Sequence, residues 1–278
     1  MSVILALLLQ IGPNPNPSVN PTAPFPPEML NRRPRPAPVQ APPEPQMPSL
    51  LRACLDTVAS DPAAGLARSG QWLESAAGTD KALALRCRGS ALAAMGHWDD
   101  AGATFLAARD ATPAANGAGR ARLGAMAGNA SLAKGAPNLA MGDFDKARAD
   151  ALAVGDKQLA GDIQVDRSRA LVALGREDEA RMALDEARNT SPQNAEAWLL
   201  SATLYRRQGN LIEAQAKIEQ AALLAPSDPE IGLEAGVIAV LGGREDAARR
   251  SWKSVQTIAP GTPAAETAAG YLAQLDKP

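Results

Sequence analysis

One spacing recurs along most of this chain and limits what it can fold into. In GREDEARMALDEARNTSP, which begins at Gly175, that glycine is followed by Ala180, Leu184, Ala187 and Pro192. Three other stretches take the same steps: Gly96, Ala101, Phe105, Ala108, Pro113; Gly209, Ala214, Ile218, Ala221, Pro226; and Gly243, Ala248, Trp252, Val255, Pro260. Gly175, Gly209 and Gly243 lie 34 residues apart, the length of a helix-turn-helix unit. Residues three and four apart share one helix face. The glycine tolerates the positive φ that ends a preceding helix, and the proline stops the following one. Such a unit cannot bury its apolar face alone and must stack on its neighbours.

Composition supports helices throughout. Hydrophobic residues make up 46% of the 278, yet aromatics only 3%, so the apolar content is mostly Ala, Leu and Val. Alanine is the strongest helix former and loses no side-chain entropy. No window alternates with period two, which makes the expected class all-α. A net charge of -2 and a pI near 5.6 provide no general field for nucleic acid or anionic lipid.

The first 49 residues are of another kind. VILALLLQI, residues 3–11, is too short to span a bilayer and resembles the apolar core of a signal peptide. No Lys or Arg precedes it and PNPNP follows, so a frayed apolar terminus is the alternative. Residues 12–49 hold most of the 23 prolines and are expected to form a disordered or polyproline II spacer. Their PxxP pieces and the basic NRRPRP suit a groove or an acidic surface. The expected division is 1–11, 12–49 and a helical array over 50–278.

Trp198, Ala202 and Tyr205 place large, small and large residues on the helix preceding Gly209, with Gly89, Ser168 and Gly236 as the small residue elsewhere. This pattern resembles the tetratricopeptide repeat family over about residues 50–276. The resemblance implies a right-handed α-solenoid with repeats near 50–79, 80–114, 115–160, 161–194, 195–228 and 229–262, and a cap over 263–276. In the long third repeat, Gly135 is the turn rather than Gly142, which puts Gly128, Ala140, Phe144 and Ala147 in register and leaves VGDKQ as the next connection.

The family binds proteins or peptides through the concave face of its first helices. Carried over, that face comprises Arg86 and Ser90, Arg122 and Asn129, Asp162 and Arg169, then Glu196, Thr203, Arg206 and Arg207, and lastly Val237 and Val240. Its arginines suit carboxylates, so an acidic peptide is the expected ligand class. The Lys and Asn arrangement by which some members clamp chaperone C-termini is missing. These features imply a non-catalytic scaffold in the cell envelope, periplasmic or otherwise exported. A cytosolic adaptor or accessory subunit of an enzyme complex is the alternative.

Residues that carry chemistry are sparse. His97 is the only histidine and sits in a turn, and two distant cysteines make no metal motif. No catalytic, cofactor or metal site is expected. GAGRARLG, residues 117–124, lacks a preceding strand and the spacing of a phosphate loop. The acidic runs Asp99-Asp100, Glu177 to Glu179 and Glu245-Asp246 recur at one place in the repeat and are read as helix starts, with Glu177 and Arg181 spaced for an i,i+4 pair. Cys54 and Cys87 lie one repeat apart, able to bridge stacked neighbours or to serve as two buried thiols.

Overall fold

The computed structural model describes residues 47–276. The apolar run at 3–11 and the Pro-rich residues up to 46 lie outside them. Over the described residues the chain forms thirteen α-helices and no strand. They are α1 (Ser49–Ser60), α2 (Pro62–Ser75), α3 (Gly78–Ala94), α4 (Trp98–Ala111), α5 (Gly117–Ala133), α6 (Pro137–Ala153) and α7 (Lys157–Ala173). Then follow α8 (Glu177–Thr190), α9 (Ala195–Arg207), α10 (Leu211–Leu224), α11 (Pro229–Leu241), α12 (Glu245–Ile258) and α13 (Pro263–Leu275). Among the described residues no helix is long and apolar enough to cross a membrane.

Local chemistry sets the helix ends. Gly96, Gly135, Gly175, Gly209 and Gly243 all have positive φ, between 72° and 82°. After each of these, the next backbone N–H donates back to the last helical turn, as from Arg176 to the Leu171 carbonyl at 2.9 Å. Gly155 makes one further such turn, at φ 73°, which the recurring spacing does not mark. It starts α7 at Lys157, ahead of the boundary near 161. Helix starts are capped by side chains of Asn116, Asp156, Asn194, Asn210, Asp228 and Thr262.

The acidic run at Glu177 opens α8, but its partners differ from the expected pair. Glu177 meets Arg207 at 2.9 Å, Glu179 meets Arg176 at 2.6 Å, and Arg181 lies nearest Asp178 and Asp185. A glutamate at the head of α8 reaches α9 more readily than it reaches along its own helix.

Each helix packs on the next in sequence. Within a pair, one small residue on the first helix faces one large residue on the second, and their sizes compensate. Gly89 lies against Phe105, Gly128 against Phe144, and Gly236 against Trp252; an added Cβ would come within 2.6 Å of the ring at Gly89 and 2.5 Å at Gly128. Where the second helix carries a smaller residue, Leu184 or Ile218, the first carries a Cβ, as Ser168 or Ala202. All five large residues are at most 3% exposed. Such close crossings hold the array together pair by pair rather than through one central core.

The two ends depart from this scheme. In the first pair the roles are exchanged, since Gly65 on α2 lies against Val58 on α1. Cys54 on α1 and Cys87 on α3 are placed as a disulfide, with Cα atoms 6.2 Å apart and both residues fully buried. At the other end α13 packs on both α11 and α12, with the Tyr271 ring 5.0 Å from that of Trp252.

Two measurements follow from the packing. Gly128→Ala overfills the crossing and should cost about 1–3 kcal/mol in urea unfolding, much of it regained when Phe144→Leu is added. A stability unchanged by Gly128→Ala would show that the crossing is not tight. Alkylation of native protein without reductant, read by intact mass, should leave Cys54 and Cys87 unmodified.

Candidate partner-binding groove

The helices are not equivalent across the array. Odd-numbered helices pack on one another as well as on their sequence neighbours: α1 on α3, α5 on α7, α7 on α9, α9 on α11, and α11 on α13. No even-numbered helix packs on the next even one to a comparable extent. The odd helices therefore form the tighter, inner layer. Between α3 and α5 the inner contact is slighter than at the other steps.

Along this layer the residues at one helical register line two adjoining hollows. The larger, about 630 Å³, takes Glu196, Leu199, Leu200, Thr203 and Arg206 from α9, Glu230, Leu233, Glu234 and Val237 from α11, and Ala264, Thr267 and Tyr271 from α13. The smaller, about 210 Å³, lies between α7 and α9 against Ser168, Val172, Leu184 and Leu204, with Arg169 and Arg207 at its margin. Leu200 and Thr203 border both, so the two hollows form one groove. Its floor is aliphatic and its rim is charged.

The structure brings part of the expected set together. Arg169, Thr203, Arg206 and Arg207 line the groove, as do Glu196 and Val237. Val240 does not: it is 1% exposed and belongs to the core packed around Trp252. Arg86, Arg122 and Asn129 stand on α3 and α5, beyond the two hollows. Asn129 is exposed and donates to Asp166 at 3.1 Å. Thr203 donates its hydroxyl to the Leu199 carbonyl at 3.2 Å.

The groove arginines have partners within the chain. Arg206 is bound to Glu234 at 2.7 Å, Arg207 to Glu177 at 2.9 Å, and Arg169 to Asp166 at 2.7 Å and also to Glu196. These arginines are already matched. Along the two hollows Glu196, Glu230 and Glu234 stand against Arg169, Arg206 and Arg207, so the formal charges of the lining balance. Burial raises the Asp166 pKa, with Glu196 and Asp162 adding to the shift against the opposing pull of Arg169 and Asn129. Arg86 differs: it has no ion pair among the described residues and its Nε is buried without a hydrogen-bond partner. Its pKa is lowered by burial and then by Arg122.

Sequence reading missed the carboxylates Asp166 and Glu234 and the floor residues Leu199, Leu233 and Tyr271. A signal was present in their spacing, since 196, 199, 203 and 206 and again 230, 233, 234 and 237 fall on single helix faces. Among the described residues no group of three or more His, Cys, Asp or Glu could hold a metal ion.

A family model described as tetratricopeptide repeat matches residues 171–236, which span α8 to α10 and most of α11. The fold is that of a tetratricopeptide-repeat solenoid. Among solved structures, a thermophilic TPR protein from Thermus thermophilus is 22% identical with a TM-score of 0.56, over 70% of this chain and 98% of that one. PilW, described as a type IV pilus biogenesis factor, is 18% identical with a TM-score of 0.63, over 79% and 96%. The apo quorum sensor NprR from B. thuringiensis is 14% identical with a TM-score of 0.62, over 81% and 68%. No curated protein matches the sequence.

The raised Asp166 pKa has a signed consequence for stability. Burial opposes its charged form, so its contribution is most favourable below the ordinary value of 3.8 and is lost as pH rises through the folded-state pKa. Asp166→Asn should therefore be more stable than the parent at neutral pH. Urea titrations at descending pH should show that margin shrinking as Asp166 becomes protonated. A margin independent of pH would mean that burial of the charge is not its source.

Proposed function

We propose that this chain is a non-catalytic scaffold that binds an extended segment of a protein or peptide in the inner groove of α7 to α13. The observation that carries the reading is the aliphatic floor of Leu199, Leu200, Leu233 and Val237, open to solvent within a charged rim. Apolar residues so arranged can accept alternate side chains of an extended ligand, while rim hydrogen bonds and charges fix its register. Pre-formed helices supply the site with little ordering cost on binding. Because the groove arginines are already paired, the favoured ligand is apolar with neutral or basic side chains.

The compartment belongs to the same proposal. A bridged Cys54 and Cys87 suits an oxidising environment. Together with the apolar run at 3–11 and the Pro-rich residues after it, this favours export and a role in the cell envelope.

A photo-crosslinking amino acid at Thr203 should capture a partner, whereas one at Ile212, 84% exposed on α10, should capture little. Equal capture at both positions would move the binding surface elsewhere. Cell fractionation with N-terminal sequencing tests the compartment, and an intact Met1 on cytosolic protein would reject export.

A further inference from the structure

The inner layer changes character at the step from α3 to α5. These two helices touch less than the other inner neighbours do, and each carries an arginine on its inner side, Arg86 and Arg122. Neither has an ion pair among the described residues, in contrast to Arg169, Arg206 and Arg207. We propose that this step is a carboxylate subsite, in which Arg86 and Arg122 together hold an acidic side chain of the extended protein segment whose apolar residues fill the hollows. It rests on the groove being the binding surface and adds one required residue to the ligand. The preference for neutral or basic side chains then belongs to the hollows, where the arginines are paired.

The Arg86 Nε is buried, and nothing among the described residues accepts from it. A guanidinium keeps its charge, so an enclosed N–H without an acceptor is a standing cost. A carboxylate laid along that edge of the fork accepts from Nε and Nη together, the bidentate arrangement in which such pairs are strongest. Arg122 is exposed on α5, yet close enough to lower the Arg86 pKa beyond the effect of burial. One anion between the two supplies the missing acceptor and offsets the repulsion. Ser90 and Asn129, near them on the same helices, are already engaged, with the Arg86 carbonyl and with Asp166. The arginines are therefore the groups left to bind. A chain of net charge -2 has no wider positive field to draw nucleic acid or anionic lipid to them, which favours a protein side chain.

The stacking also sets where that side chain falls in the ligand. Inner helices about 8–10 Å apart put the α3–α5 step roughly 16–20 Å from the hollow between α7 and α9, and roughly 24–30 Å from the one between α9 and α11. Extended chain rises about 3.3 Å per residue, so the acidic residue lies about 5–9 positions from the apolar ones.

The test selects random peptides about 12 residues long, enough to span both places, on the immobilised full chain. Displayed through their C-termini, they offer no free terminal carboxylate, so enrichment reports side chains. Parent protein should enrich Asp or Glu at that spacing from an apolar cluster. Arg122→Gln should keep the apolar cluster and lose the acidic preference, and should bind a peptide selected on the parent roughly tenfold more weakly. Arg86→Lys, which keeps the charge but removes the Nε donor, should fall between the two. Apolar peptides without an acidic residue, or with one at no fixed spacing, would overturn the subsite and leave the groove standing. Enrichment of nothing would overturn both.

Stability supplies a second reading that needs no ligand. Gln and Arg have similar helix propensity, so Arg122→Gln should be at least as stable as the parent in urea, because a repulsion is removed. A lower urea midpoint would mean that Arg122 serves the fold, and would overturn its assignment to a ligand.

Discussion

The depth of one helix crossing, repeated five times, determines how the array is built. Where the second helix offers a ring, at Phe105, Phe144 and Trp252, the first offers only glycine; where it offers Leu184 or Ile218, the first has room for Ser168 or Ala202. Summed size at the crossing is kept while its partition between the helices changes. Interiors packed at crystal-like density leave no other solution, because a missing methylene opens a cavity and an extra one forces the helices apart. The spacing of odd helices, and with it the width of the groove, follows from the crossings beneath them.

The groove's charges answer to another constraint. Arg169, Arg206 and Arg207 each reach a carboxylate on a neighbouring helix, so that ion pairs run across the layer as well as along it. Arg206 and Glu234 are the most enclosed of these, at 23% and 12% side-chain exposure. Partly buried pairs of this sort do more to fix register than to add net stability, since desolvation offsets much of the attraction. They also remove from the groove the positive charge that its arginines would otherwise present. What is left is an apolar floor within a charge-balanced rim.

Legibility from sequence divided along the same line. The crossings were readable because glycine, alanine, the large residue and proline recur at fixed steps within one unit, and local geometry then decides the rest. The turn at Gly155 falls within VGDKQ, the expected connection, although the repeated steps have no glycine there and the repeat boundary was set later, near 161. The groove was readable as a set of helix faces: Thr203, Arg206 and Val237 line the larger hollow, whereas Val240 is buried in the core. Its charge balance was not readable. Arg206 and Glu234 lie 28 residues apart, and only the stacking of α9 on α11 brings them together. Family-based positions named the arginines and Glu196 but passed over Asp166 and Glu234, which pair with Arg169 and Arg206.

The disulfide has a mechanical side. Residues 1–46 precede Met47, and any load applied through them would enter the array at α1. In a stack held by nearest neighbours, the terminal pair is where peeling would begin, since it has a neighbour on one side only. Cys54 and Cys87 carry that load covalently from α1 into α3, past the first non-covalent interface. Rupture must then begin deeper, where several helices share the force. The bridge makes the first three helices one mechanical block and a fixed end for the helices beyond it.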